Sequence, residues 1–290
     1  MKRPYPVLLA VLACVLGGVP VLSPAHARGE PIEAKLSSGH LVTADFHAGE
    51  ARRPAVLVLH GFLQTNAFPT IESIVNAAAT AGYTVLAPNL SLGISRRNRS
   101  LACEAVHLHT LRDDEAEVGF WVRWLTQRGY DRVVLVGHSF GNVQLLGYLQ
   151  GRPSPAVKKV LLISLTDVEV KQDARERARL AQTLRERVEK GDTRLVEAEY
   201  GHCKKYVSPP AALLTYLGPS RRSILDAVAK APVPAVAIMG GEDERMGPDW
   251  VPQLASAGID VRVVPGASHF FDNQYEFDLQ EAVLQALPAR

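Results

Sequence analysis

The chain is poor in cysteine, with three among 290 residues, and none stands in a Cys-x-x-Cys pair or beside a His-Glu-x-x-His segment. The tight spacings by which zinc sites are recognised are therefore missing. Charge of one sign is also scarce: 32 basic residues against 30 acidic give a net +2. A chain so balanced offers no global electrostatic case for nucleic acid or an anionic membrane as partner. There are no internal repeats and no low-complexity tracts. Long apolar runs are missing except at the start, from Val7 to Leu22, and that run is broken by Gly17, Gly18 and Pro20. It falls short of the roughly 20 residues a bilayer span requires.

That first stretch is laid out as an export signal. Lys2 and Arg3 precede the apolar run, and Ala25-His26-Ala27 supplies small residues where a signal peptidase reads. Residues 1–27 are expected to be cleaved, leaving Arg28 first in a periplasmic or secreted protein with no stable membrane span. Lipid attachment at Cys14, after Val11-Leu12-Ala13, ranks below simple secretion. Removing the two basic residues of this segment leaves as many basic as acidic groups. Of the cysteines, Cys103 and Cys203 remain, and an oxidising compartment favours their pairing. A metal site drawn from Cys103, His107, His109, His202 and Cys203 is the weaker reading, and neither metal nor cofactor is expected.

What is present is 47% hydrophobic residues, enough for one sizeable core over 28–290. Ile32–Leu36 and Leu41–Phe46 flank Ser37-Ser38-Gly39-His40 and read as an antiparallel hairpin at a sheet edge. Ala55–Leu59 is a fully apolar strand ending in His60-Gly61-Phe62. A helix over about Thr70–Ala81 and a strand Thr84–Ala87, closed by Pro88, follow. A helix then starts near Thr110 with a capping box to Asp113 and buries Val118, Trp121, Val122 and Leu125. Strand and helix alternate, the mark of an α/β fold with a mostly parallel sheet and helices on both faces. After the strand Val157–Ile163 the alternation fails, and residues of about 166–232 form an insertion. Its first part, 168–190, reads as a charged helix with a thin stripe at Leu180, Leu184 and Val188. Tyr200, Tyr206, Leu213, Leu214, Tyr216 and Leu217 form either an inner lining or a small core. The strands Ala235–Met239 and Asp260–Val264 then resume the sheet, with helices near Pro248–Ala257 and through Gln280, Val283 and Leu287.

The chemistry centres on Val133-Val134-Leu135-Val136-Gly137-His138-Ser139-Phe140-Gly141. A buried strand runs into Gly-x-Ser-x-Gly and then into helical spacing at Val143, Leu145, Leu146 and Leu149. So tight a turn strains the serine backbone and aims its hydroxyl at a helix N-terminus, with Gly137 and Gly141 letting strand and helix approach. A serine needs a base, and the base needs an orienting acid. His269 and Asp243 stand in turns directly after the last two strands, where catalytic residues of parallel sheets gather. Glu242, Glu244 and Asp167 are neighbouring or alternative acids. The run Arg96-Arg97-Asn98-Arg99 is expected to be solvated.

These motifs, in this order, resemble the alpha/beta-hydrolase superfamily, capped serine hydrolases, over nearly the whole mature chain. The resemblance implies Ser139 as nucleophile, His269 as base and then acid, and Asp243 as orienting carboxylate. It implies an oxyanion hole from the backbone N–H groups of Phe62 and Phe140, each worth roughly 2.7–4 kcal/mol, and a helical cap in the insertion. The function it implies is cleavage of a small-molecule carboxylic ester through an acyl-enzyme. Phe62, Phe140, Phe270 and Phe271 argue for an apolar substrate group. Peptide and thioester cleavage use the same trio, and a non-catalytic binding protein of this fold is the alternative of another class. A dehalogenase is not expected, since it needs a carboxylate where Ser139 stands.

Overall fold

The computed structural model describes residues 29–167 and 173–289. The expected signal, its cleavage point before Arg28, and Cys14 lie outside the described residues. Among the described residues, ten strands and eight α-helices follow one another as β1 (Glu30–Lys35), β2 (Leu41–His47), β3 (Ala55–Leu59), α1 (Pro69–Thr80), β4 (Thr84–Asn89), α2 (Leu111–Thr126), β5 (Val133–His138), α3 (Gly141–Gln150) and β6 (Val157–Ile163). Then come α4 (Ala174–Glu189), β7 (Val196–Tyr200), β8 (Cys203–Ser208), α5 (Pro210–Tyr216), α6 (Arg221–Ala229), β9 (Ala235–Gly240), α7 (Trp250–Ser256), β10 (Asp260–Val264) and α8 (Tyr275–Ala286).

Eight strands form one sheet in the order β1-β2-β4-β3-β5-β6-β9-β10. β2 runs antiparallel to both neighbours, and the remaining pairs are parallel. The continuous apolar runs of β3 and β5 have their cause here, because strands in the middle of such a sheet are covered on both faces. Val56, Val58, Val134 and Val136 point to a layer with α1 and α8 (Ile71, Ile74, Leu279, Val283). Leu57, Leu59, Val133 and Leu135 point the other way, to Val118, Trp121 and Val122 of α2 and Val143 and Leu145 of α3. Thr110 caps α2, its side chain accepting from the Asp113 N–H while the Asp113 carboxylate accepts from the Thr110 N–H.

Three expectations need correction. Pro88 does not close β4 but lies inside it, opposite Ala44 of β2. β3 pairs only with Thr84–Leu86, so the proline sits past the stretch where a second ladder would require its missing N–H. The insertion is not purely helical, since β7 and β8 form an antiparallel hairpin beside α4, α5 and α6. On α4 the apolar stripe is narrower than its spacing suggests: Leu184 is buried but Val188 is 39% exposed. Arg177 is buried instead, donating to the carbonyls of Leu217 and Pro219 at 2.8 and 2.7 Å.

Among the described residues, the inserted segment has no core of its own. Leu184, Tyr200, Tyr206, Leu213 and Tyr216 belong to the same apolar cluster as Leu135 and Leu145. No helix among the described residues is long and apolar enough to cross a membrane.

Candidate active site

Ser139 follows β5 directly and holds a left-handed φ of +55°, a conformation that costs a non-glycine residue free energy and needs surroundings that enforce it. Two hydrogen bonds to the end of β6 enforce it here. The Ser139 N–H donates to the Ile163 carbonyl at 2.9 Å, and the Asn142 amide donates to the same oxygen at 2.7 Å. Both flanking glycines are required for space. A Cβ on Gly137 would stand 2.5 Å from Asn142 Oδ1 on α3, and one on Gly141 would stand 2.5 Å from the His60 carbonyl. Gly141 therefore serves the approach of α3 to the end of β3, rather than to its own strand.

Three predicted side chains come together at this turn. His269 Nε2 lies 2.8 Å from Ser139 Oγ, and His269 Nδ1 lies 2.6 Å from Asp243 Oδ2. The His269 ring and the Asp243 carboxylate are almost wholly buried, with side chains 3% and 2% exposed. The Arg245 N–H donates to the other oxygen, Asp243 Oδ1, at 3.3 Å. Asp167, the alternative acid, is engaged elsewhere: Arg221 Nε donates to it at 2.7 Å.

Two residues that sequence reasoning missed hold the histidine turn in place. The His269 carbonyl accepts from Ser164 Oγ at 2.8 Å and from His138 Nε2 at 3.1 Å. His138 is held at a pKa of about 3, first by burial and then by the nearby His269 charge, so it stays neutral. Its proton is on Nε2, because that nitrogen faces a carbonyl. His138 occupies the variable position before the serine, and nothing in the motif marks it.

The loop after β3 is braced from behind. His60 is fully buried, and its Nε2 accepts from the Leu90 N–H at 3.1 Å and from Arg97 Nη2 at 2.9 Å. Those two donors leave the His60 proton on Nδ1, which donates to the Gly61 carbonyl at 2.9 Å. Burial, then the Arg97 charge, pushes this histidine down to about 3. Since the peptide unit is planar and trans, fixing the Gly61 C=O also fixes the direction of the Phe62 N–H. Among the described residues, neither the Phe62 nor the Phe140 N–H donates to a protein acceptor. Arg97 corrects an expectation. It is 4% exposed, not solvated, and also donates to the Leu90 and Arg99 carbonyls at 2.5 and 2.9 Å. Burial lowers it to about 10, which leaves it charged. Arg96, by contrast, is exposed and pairs with Glu33 at 2.5 Å.

A cavity of about 780 Å³ opens over Ser139 and His269, walled by Phe62, Phe68, Phe140, Phe270 and the insertion's Tyr200. A larger open groove of about 920 Å³ runs along α2 and α3, but none of the three hydrogen-bonded side chains reaches it. Phe271 was expected at the site and is not there; it is 1% exposed and packs in the layer of α1 and α8. Phe68 takes a place in the wall that spacing did not reveal. Phe62 stacks on Tyr206, at 5.9 Å between centroids, and meets Tyr200 and His202 edge-on at 5.5 Å. Tyr216 backs Phe140 at 5.8 Å and donates its hydroxyl hydrogen to Asp114 at 2.5 Å. The lining reading of the insertion thus holds for Tyr200, which reaches the cavity, while Tyr206 and Tyr216 support its wall as part of the main apolar cluster and not as a small core of the insertion.

The sulfurs of Cys103 and Cys203 are bonded to each other, closing a sequence separation of 100 residues. They lie with a nitrogen of His202 within 4.8 Å of one another, but a disulfide sulfur is not the thiolate a metal requires. The bridge ties the loop before α2 to β8, next to a backbone contact in which the His107 N–H donates to the Val207 carbonyl at 2.8 Å.

No functionally curated protein sequence matches the chain. Solved structures share its fold. Est1E from Butyrivibrio proteoclasticus has a TM-score of 0.62 at 15% identity, covering 89% of this chain and 97% of that one. A thermophilic esterase from Thermogutta terrifontis gives 0.59 at 15% identity over the same shares, 89% and 97%. A thioesterase domain from the curacin biosynthetic pathway gives 0.60 at 18% identity, over 89% and 99%. The model of the alpha/beta hydrolase family matches residues 56–277, from the third strand into the last helix. With the sheet order, the strained serine and that match taken together, the chain belongs to the alpha/beta hydrolase family.

Proposed function

We propose that the protein is an exported serine hydrolase that cleaves a carboxylic ester through an acyl-enzyme. The observation that carries this reading is the unbroken line from Asp243 through His269 to Ser139, at 2.6 and 2.8 Å, facing a cavity large enough for a small organic ester. In the first step Ser139 Oγ bonds to the ester carbon as its proton passes to His269 Nε2, and Asp243 stabilises the resulting imidazolium. The electron pair pushed onto the carbonyl oxygen is met by the N–H groups of Phe62 and Phe140. Collapse expels the alcohol, which takes the proton from His269. Water then repeats the sequence on the acyl-enzyme: His269 accepts its proton and returns it to Ser139 Oγ as the acid departs. The similarity to a thermophilic esterase and a thioesterase domain is compatible with oxygen or sulfur esters, since the same trio serves either leaving group.

A fluorophosphonate probe tests the reading. Wild type should be labelled and Ser139→Ala should not, with hydrolysis of p-nitrophenyl butyrate falling by roughly 10⁴-fold or more in the variant. Absence of labelling in well-folded wild-type protein would favour a non-catalytic binding protein. Export is part of the proposal, resting on the layout of residues 1–27. Intact-mass measurement on expressed protein should give a chain that starts at Arg28, and an unprocessed or lipid-modified mass would refute simple secretion.

A further inference from the structure

The cavity over Ser139 has two unlike parts. Its lining is aromatic at Phe62, Phe140 and Tyr200, and it also carries two solvent-exposed cations, Arg245 and Lys204. The Arg245 guanidinium lies over the Phe270 ring, 4.7 Å from its centroid. That ring stands edge-on to His269, 5.0 Å between centroids. A full positive charge therefore sits one aromatic ring away from the base.

This charge is not consumed by the protein. Two carboxylates share the cavity, but Asp167 is held by Arg221 at 2.7 Å, and Glu199 has an interaction of its own. Neither Arg245 nor Lys204 forms an ion pair with a carboxylate among the described residues. Burial first, and then the Arg245 charge, lowers the pKa of His202, which lines the same cavity. A guanidinium covered on one face by a ring and unpaired at its edge is a fork shaped for a carboxylate, which accepts two parallel N–H bonds. Lys204, a mobile point charge in the same cavity lining, can reinforce it.

We propose, on the basis of the ester-hydrolase reading above, that the preferred substrates are esters bearing a carboxylate, which Arg245 and Lys204 bind while the apolar remainder lies against Phe62 and Phe140. This adds an anionic end to the apolar group expected from the phenylalanines alone. Both cations are exposed to solvent, so salt should weaken the preference.

The experiment compares charged esters with neutral isosteres in two arms. For a carboxylate on the acyl side, p-nitrophenyl hemiglutarate is set against its methyl ester. For one on the alcohol side, p-carboxyphenyl butanoate is set against its methyl ester. In at least one arm kcat/KM at low salt should favour the charged ester by about tenfold, the scale of one screened charge-assisted contact. Arg245→Gln should abolish most of that ratio through KM, Lys204→Gln should reduce it less, and raising the salt concentration should narrow it. Using the ratio cancels any general disturbance of the Asp243 turn, which bonds the Arg245 backbone. A wild-type ratio near one in both arms, or a ratio indifferent to Arg245→Gln, overturns the proposal. Should no ester be cleaved and no probe react, the hydrolase reading fails by itself. The anion site is then judged by calorimetric titration of p-carboxyphenyl butanoate into Ser139→Ala protein: weaker binding when Arg245→Gln is added supports it, and equal binding overturns it.

Discussion

Glu115 stands on α2 with its carboxylate over Gly147 of α3, where any Cβ would collide with it. Burial, and then the neighbouring Asp114 charge, pushes its pKa up to about 7 from an ordinary 4.5. Below 4.5 the group is protonated in both folded and unfolded chains and contributes no pH dependence. Between 4.5 and 7 the unfolded chain releases a proton that the folded chain retains, so stability falls as pH rises, and above 7 the full cost persists. Glu115→Gln should accordingly have the wild-type melting temperature near pH 4 and exceed it by a few degrees at pH 8, since a half-buried site is partly screened. Equal melting curves at pH 8 would show that the carboxylate is solvated. At this scale the legible residues were those whose role depends on chain neighbours. Ser139, Asp243 and His269 each follow an apolar strand, and that local context marks them. His138, Ser164 and Arg97 are equally part of the site, but their roles come from carbonyls and rings contributed by other strands and loops. No spacing within their own segments encodes those partners.

The hairpin of β7 and β8 is the element that most affects the cavity. Through Tyr200 and His202 it reaches the space over Ser139, and Cys203 fastens it to the loop before α2. A two-stranded hairpin is marginal by itself, so its position depends on that bond and on Tyr206 packing against Phe62. The variant Cys103→Ser/Cys203→Ser should keep the sheet but raise KM for p-nitrophenyl butyrate several-fold more than it lowers kcat. Faster amide hydrogen exchange in residues 196–208, with β5 unchanged, would localise the effect. Unchanged exchange in those residues would show that aromatic packing alone holds the hairpin. In the sequence this element was obscured. Val196, Ala198 and Tyr200 alternate with Glu197 and Glu199 as a strand should, and Gly201 takes a φ of +60° at the turn. The alternation is too short, and too close to the charged α4, to stand out. The central strands β3 and β5 of the main sheet were readable because each is a continuous apolar run followed by turn residues. The ends of strands were less so, as Pro88 shows, since it lies inside β4 where the sequence places a stop.

As a whole, the molecule is one sheet between two apolar layers, and the insertion closes over one end without forming a separate core. That arrangement was legible from the alternation of strands and helices and the break after β6, because both are properties of long stretches. The insertion's dependence on the main layer was not, since Leu184 and Tyr216 look the same whether they pack on one another or on α2 and α3. The bond between Cys103 and Cys203 has a further consequence for the intact chain. It encloses β5, the serine turn and the arginine-rich α4 in a single covalent ring. Trypsin cutting once within α4 would open that ring without releasing a fragment. The nicked protein should migrate as one band on a denaturing gel and separate into two pieces only after a thiol is added.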